Sequence, residues 1–157
     1  MCPRFDFELN LIKDITNNSH TTLDVVKDRI GSKILSQLQK FYSCGVLGDG
    51  AMNPACVEIY DFVKSSGTLS TSLNTNGGLR NKDFWRALAK TNTHVVFAID
   101  GLADTNHLYR RNVKFEKVIE NVQAFIGAGG EADWDFLVFK HNRHQIDEAK
   151  ALSKKLG

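Results

Sequence analysis

Four short stretches hold most of the side chains that could grip a polar ligand. They are Gly48-Asp49-Gly50, Asn74-Thr75-Asn76-Gly77-Gly78, the segment from Asp100-Gly101 to His107, and Lys140-His141-Asn142. Carboxylates accept from hydroxyls and ammonium groups, carboxamides donate and accept, and glycines let backbone amides come close to a ligand. As a set they suit a polar cofactor better than a lipid. Taken singly, each is also explained by ordinary turn formation, which favours Gly, Asn and Asp.

Other chemistries find less support. Gly48-x-Gly50 lacks the third glycine of a dinucleotide fingerprint, and there is neither a phosphate-loop motif nor a Gly-x-Ser-x-Gly elbow. His141 and His144 could share a metal, but the pair alone reads as two exposed histidines at a helix start. The thiols number three, Cys2, Cys44 and Cys56, which cannot pair evenly and suit a reducing compartment. Cys44 and Cys56 lie in apolar stretches and read as small core hydrophobes, whereas Cys2 lies in the terminal loop Cys2-Pro3-Arg4-Phe5.

The elements that must position the four stretches alternate along the chain. Phe41–Leu47, Thr68–Leu73, His94–Ile99 and Ala132–Phe139 read as strands, each running into one of the polar stretches. Helices are predicted over Ala55–Lys64, from an Asn81 cap through Ala89, over Phe115–Ile126 and over Gln145–Leu156, each with apolar residues at helical spacing. An earlier helix is predicted over Thr22–Leu38, weakened in its middle by Gly31. The unbroken run Val95-Val96-Phe97-Ala98-Ile99 suits a strand in a parallel sheet. The reading is therefore α/β, a partial (β/α) TIM-like barrel of about four βα units plus an N-terminal helix. In such sheets ligands gather at the carboxyl ends of the strands, where all four polar stretches would lie.

The totals restrict partners. A formal net charge of +2 gives no electrostatic reason to propose nucleic acid or an anionic membrane. No apolar run approaches the roughly 20 residues of a membrane span, and no signal-peptide pattern is present, so the expected location is cytoplasmic.

The blocks Cys44-Gly45-Val46-Leu47-Gly48-Asp49-Gly50-Ala51-Met52-Asn53-Pro54, Asn74-Thr75-Asn76-Gly77-Gly78-Leu79-Arg80, Ile99-Asp100-Gly101-Leu102-Ala103-Asp104-Thr105-Asn106-His107 with Leu108-Tyr109-Arg110, and Phe136 to Asn142 resemble radical S-adenosylmethionine (AdoMet) proteins. The nearest subgroup is the one whose members often carry a C-terminal auxiliary-cluster (SPASM-type) domain. The resemblance spans nearly the whole chain, making residues 1–157 a partial radical AdoMet core domain. It implies a [4Fe–4S] cluster held by a C-x3-C-x2-C loop, and reductive cleavage of AdoMet to a 5′-deoxyadenosyl radical that abstracts hydrogen from a substrate.

Residue by residue, the resemblance makes Cys2 the last cluster ligand, in the context Cys2-Pro3-Arg4; the first two cysteines would precede Met1, and the later strands have no counterpart. Gly48 and Asp49 match the loop that receives the methionyl amine, with Gly50 where the family often has proline. Asn74 and Asn76 match positions near the methionyl or ribose groups, Asp100 a ribose-hydroxyl contact, and Lys140 a contact from the next strand. Implied partners are a small-molecule or peptide substrate and an external electron donor. The piece on its own is expected to be inactive, since one thiolate cannot hold such a cluster. The alternatives are a non-catalytic α/β binding module and, less well matched, a flavodoxin-like module, whose phosphate loop would not carry an Asp. A half-barrel is also expected to leave strand edges and an apolar interior face uncovered, which would favour self-association.

Overall fold

The computed structural model describes residues 20–45 and 48–157. Two short helices open it, α1 (Leu23–Arg29) and α2 (Gly31–Leu35). Thr22 starts α1 by accepting from the Val25 amide at 3.3 Å, and Gly31 ends it by turning to φ +71°. The single predicted helix is thus two, because a left-handed residue cannot continue a right-handed turn.

The alternation that follows is β1 (Lys40–Ser43), α3 (Cys56–Ser65), β2 (Ser70–Thr75), α4 (Lys82–Ala89), β3 (His94–Ala98), α5 (Asn106–Tyr109), α6 (Phe115–Ile126), β4 (Ala132–Asp135) and α7 (Ile146–Leu156). The four strands are parallel and lie side by side in chain order, with Lys40 opposite Ser70, Ser72 opposite His94 and Val95 opposite Ala132. Residues from α3, α4, α6 and the end of α7 pack against one face of this sheet. A doubly wound sheet would carry helices on both faces, so this winding is that of a barrel segment.

Alternation along the strands sorts side chains between the faces. Leu73, Val95 and Phe97 point into the helices, where Trp85 and Phe125 complete an aromatic cluster with ring centroids 5.2–6.4 Å apart. Cys56 belongs to this core, as the sequence suggested. A smaller core of Val26, Leu35, Ile59 and Val63 seats α1 and α2 on α3. The opposite face carries Lys40 and Tyr42, Ser72 and Asn74, His94, Val96 and Ala98, and Asp133 and Asp135. His94 and Asp133 meet across it at 3.2 Å. Among the described residues no helix packs on this face, and it is mostly polar, which corrects the expectation of an apolar one.

Three strands differ from the reading of the sequence by two residues or more. β1 ends at Ser43 rather than Leu47, the last two residues of that expectation lying outside the described residues. β2 starts and ends two residues later than expected, because Thr68 is held outside the ladder by its hydroxyl donating to Leu35 O at 2.8 Å. β4 stops at Asp135 rather than Phe139. Past it, side chains capture the backbone: Leu137 N donates to Asp100 Oδ1, Phe139 N donates to Asn142 Oδ1, and Leu137 O accepts from Asn142 Nδ2, at 2.7–2.8 Å. Among the described residues, no helix is long and apolar enough to cross a membrane.

Candidate functional site

The carboxyl ends of all four strands open on one cleft of ≈ 570 Å³, within the range of small-molecule sites. Five of the residues singled out from the sequence line it together: Gly48, Asp49, Asn74, Asn76 and Asp100. Lys140 does not; with β4 ending early, it falls in an exposed turn away from the cleft. Cys2 lies outside the described residues.

On the β1–β2 side, Asp49 is the organiser. Its Oδ1 accepts from the Ala51 amide at 2.9 Å, starting a short 3-10 turn, while Oδ2 accepts from Thr75 Oγ1 at 2.8 Å and the Asn76 amide at 3.1 Å. One carboxylate thus joins two strand-end loops. Arg80 adds a second tie, its Nε and Nη2 each donating at 2.6 Å to the carbonyls of Ala51 and Met52. Asn76 closes its own turn by accepting from Gly78 N at 2.8 Å. Gly77 sits at φ +69°, and a Cβ there would come within 2.8 Å of Phe97 Cδ1, so only glycine fits. Asn74 differs from all of these. Its Oδ1 is buried and has no hydrogen-bond partner among the described residues, an unpaired acceptor on a residue of the cleft wall.

On the β3–β4 side, Asp100 is fully buried and both its oxygens are engaged. Oδ2 accepts from Arg110 Nε at 2.6 Å and Oδ1 from Leu137 N at 2.7 Å. Its backbone is held as well, by Asn106 Oδ1 on the amide and Asn142 Nδ2 on the carbonyl. Gly101, at φ +153°, lets the chain turn where a Cβ would overlap Thr105 Oγ1. The same knot includes Gln145, which accepts from Leu102 N and the Thr105 hydroxyl and donates to Asp104.

Among the cleft-lining residues that were not candidates, three carry a charged group or a thiol. Asp135 ends β4 on the uncovered face and is exposed at the cleft wall. Its signal in the sequence was hidden by the expectation that the strand ran on. Arg110 lines the cleft from the end of α5, and Cys44, expected in the core, is instead exposed on the rim. Cys56, by contrast, is deeply buried, and its thiol is pushed up from 9.0 to about 12 by desolvation, with the negative charge of Asp49 adding and Arg80 opposing.

Among the described residues no group of three or more His, Cys, Asp or Glu is placed to hold a metal ion. The described residues therefore do not make an iron–sulfur ligand set. They do suit a zwitterionic sulfonium ligand that carries ribose hydroxyls: the carboxylates of Asp49 and Asp135 and a guanidinium line a polar cleft beside a carboxamide oxygen unpartnered among the described residues.

No protein-family model matches the sequence, and no curated protein matches it. Solved structures do. The chain matches hexahistidine-tagged anSMEcpe with bound AdoMet at a TM-score of 0.66 and 17% identity, over 84% of this chain and 38% of that one. It matches native anSMEcpe with bound AdoMet and Cp18Cys peptide at a TM-score of 0.66 and 17% identity, over 84% and 40%. anSMEcpe is an anaerobic sulfatase-maturating radical AdoMet enzyme. This chain shares its fold. It spans about two fifths of the length of those structures, and the shared part includes the parallel four-stranded sheet with its helices.

Proposed function

We propose that the chain is a radical AdoMet enzyme core, and that the described residues form the part of it that grips AdoMet. The observation carrying this reading is the convergence of Asp49, Asn74, Asn76 and Asp100 from three strand ends on one cleft. The AdoMet-bound neighbours of the same fold support it. In this reading the loop at Gly48-Asp49 and the rim at Asn76 accept the ammonium group, and Asn74 Oδ1, without a partner among the described residues, accepts from a ligand donor. Asp135 is exposed to accept from ribose hydroxyls, a role that Asp100 is too fully engaged to fill. The uncovered face below the cleft, from Asn74 to His94 and Asp133, would meet the substrate, a small molecule or a peptide. Bound beside a reduced [4Fe–4S] cluster supplied with electrons by an external donor, AdoMet contributes hydrogen-abstraction chemistry.

Calorimetry with AdoMet tests the reading, with flavin mononucleotide as the comparison ligand. Saturable AdoMet binding and no flavin binding are expected. Asn74→Ala should lower AdoMet affinity about fivefold while leaving folding stability unchanged or slightly raised, because it removes an unpaired buried acceptor. No AdoMet binding by the wild-type chain would sink the reading.

A further inference from the structure

The stretches 105–115 and 136–146, which follow β3 and β4, hold Arg110, Arg111, Lys114, Lys140 and Arg143 together with three of the five histidines, and no Asp or Glu. The whole chain carries 20 Lys and Arg against 18 Asp and Glu, so without these two stretches its balance would be acidic. The fold packs them on each other. The Tyr109 and Phe139 ring centroids lie 4.6 Å apart, the Phe139 and His141 rings stack at 5.3 Å, and Asp100 binds both Arg110 and the Leu137 amide. Asp100 offsets the charge of Arg110. Arg111, Lys114, Lys140 and Arg143 are exposed and make no ion pair among the described residues. The same two stretches leave Leu108, Tyr109 and Leu137 50%, 47% and 49% exposed. Asp104, which accepts from Gln145, and Asp147 and Glu148 in the first turn of α7 bound this shelf on one side. Exposed apolar side chains set among cations have the make-up of an interface.

We propose that this shelf is a docking surface for an acidic protein segment that also carries apolar side chains. The segment's carboxylates meet the four unpaired cations, and its apolar residues cover Leu108, Tyr109 and Leu137. Charge alone would suit nucleic acid or an anionic membrane equally well. Nucleic acid held without sequence preference uses stacked aromatic rings beside the cations, whereas here two of the three exposed apolar residues are leucines and the Tyr109 ring already packs against Arg110 and Phe139. Membrane surfaces take an amphipathic helix, and α5 has four residues. The surface gives a role to Lys140, which the cleft leaves out, and it does not depend on the AdoMet reading.

Fluorescence polarisation on the full chain tests this with a short labelled peptide in which Glu alternates with Leu and Phe. Saturable binding is expected, weakening about tenfold as salt rises from about 0.05 to 0.5 M. The matching peptide with Lys in place of Glu should not bind. Arg111→Glu combined with Lys140→Glu should weaken binding about tenfold or more, while Lys33→Glu combined with Lys90→Glu, an equal change of net charge at exposed positions elsewhere, should leave it within about twofold. Leu108→Ser should weaken it about threefold through lost apolar contact. None of these positions lines the cleft, so the outcome is separate from AdoMet binding. Three results overturn the proposal: no binding of the Glu peptide, equal weakening by the two double variants, or tighter binding of oligouridylate RNA or of equimolar phosphatidylserine–phosphatidylcholine vesicles than of the peptide.

Discussion

Asp49 and Asp100 occupy equivalent places, each just past the carboxyl end of a strand, and the structure uses them differently. Asp49 staples the β1 loop to the β2 loop, yet stays partly exposed in the cleft and keeps acceptor capacity on Oδ1. Asp100 staples the β3 loop to the chain after β4 and is sealed, with one oxygen on Arg110 and the other on the Leu137 amide. A half-exposed staple can hold a loop and a ligand together. A sealed one holds the loop and the side chain it anchors, Arg110.

Perturbing that contrast should give effects of graded size. The largest concerns Cys56, whose thiol lies behind Asp49. With its pKa raised from 9.0 to about 12, its thiolate population at pH 8 should be about a thousandfold below that of an ordinary thiol. Peptide mapping after brief iodoacetamide treatment should find Cys44 modified and Cys56 protected until the chain unfolds; equal labelling would contradict the burial. The same shift fixes a pH dependence. Between about pH 9 and 12 the native chain keeps a proton that the unfolded chain has released, so stability should fall as pH rises through that window and be fully present below it.

Next come the staples themselves. Asp100→Ala leaves the Arg110 charge and the Leu137 amide without a partner, and should cost about 3 kcal/mol in urea unfolding, the low end for a broken buried pair because Arg110 can still reach water. Asp49→Asn keeps the shape and part of the bonding and should cost about 1 kcal/mol. The reverse order would contradict the assignment of the sealed and the open staple. Lys140→Ala, at an exposed turn outside the cleft, should change neither AdoMet affinity nor stability by more than about 0.5 kcal/mol.

The sequence made the rim legible because strand periodicity and turn chemistry are local. Gly48, Asp49, Asn74, Asn76 and Asp100 could be placed on one edge from patterns a few residues long. The roles of the two carboxylates were not legible in the same way. Whether the Asp100 carboxylate is free depends on Arg110 and on the Leu137 amide, 37 residues away, and whether that of Asp49 is free depends on Thr75 and Asn76. The end of β4 was misjudged for a related reason: Trp134 to Phe139 is apolar enough for a strand, but Asp100 and Asn142 take its backbone groups. That error placed Lys140 at the rim and concealed Asp135. Gly31 was visible as a weak point, but only its positive φ makes it a break.

If AdoMet docks in the polar cleft at the strand ends, amide NMR spectra recorded during an AdoMet titration will show it residue by residue. Shifts concentrated at Gly48, Asp49, Asn74, Asn76 and Arg110, with Lys140 and the helices unmoved, are the predicted result. Saturable binding whose shifts fall elsewhere, on the outer faces of α3 or α6, would contradict it.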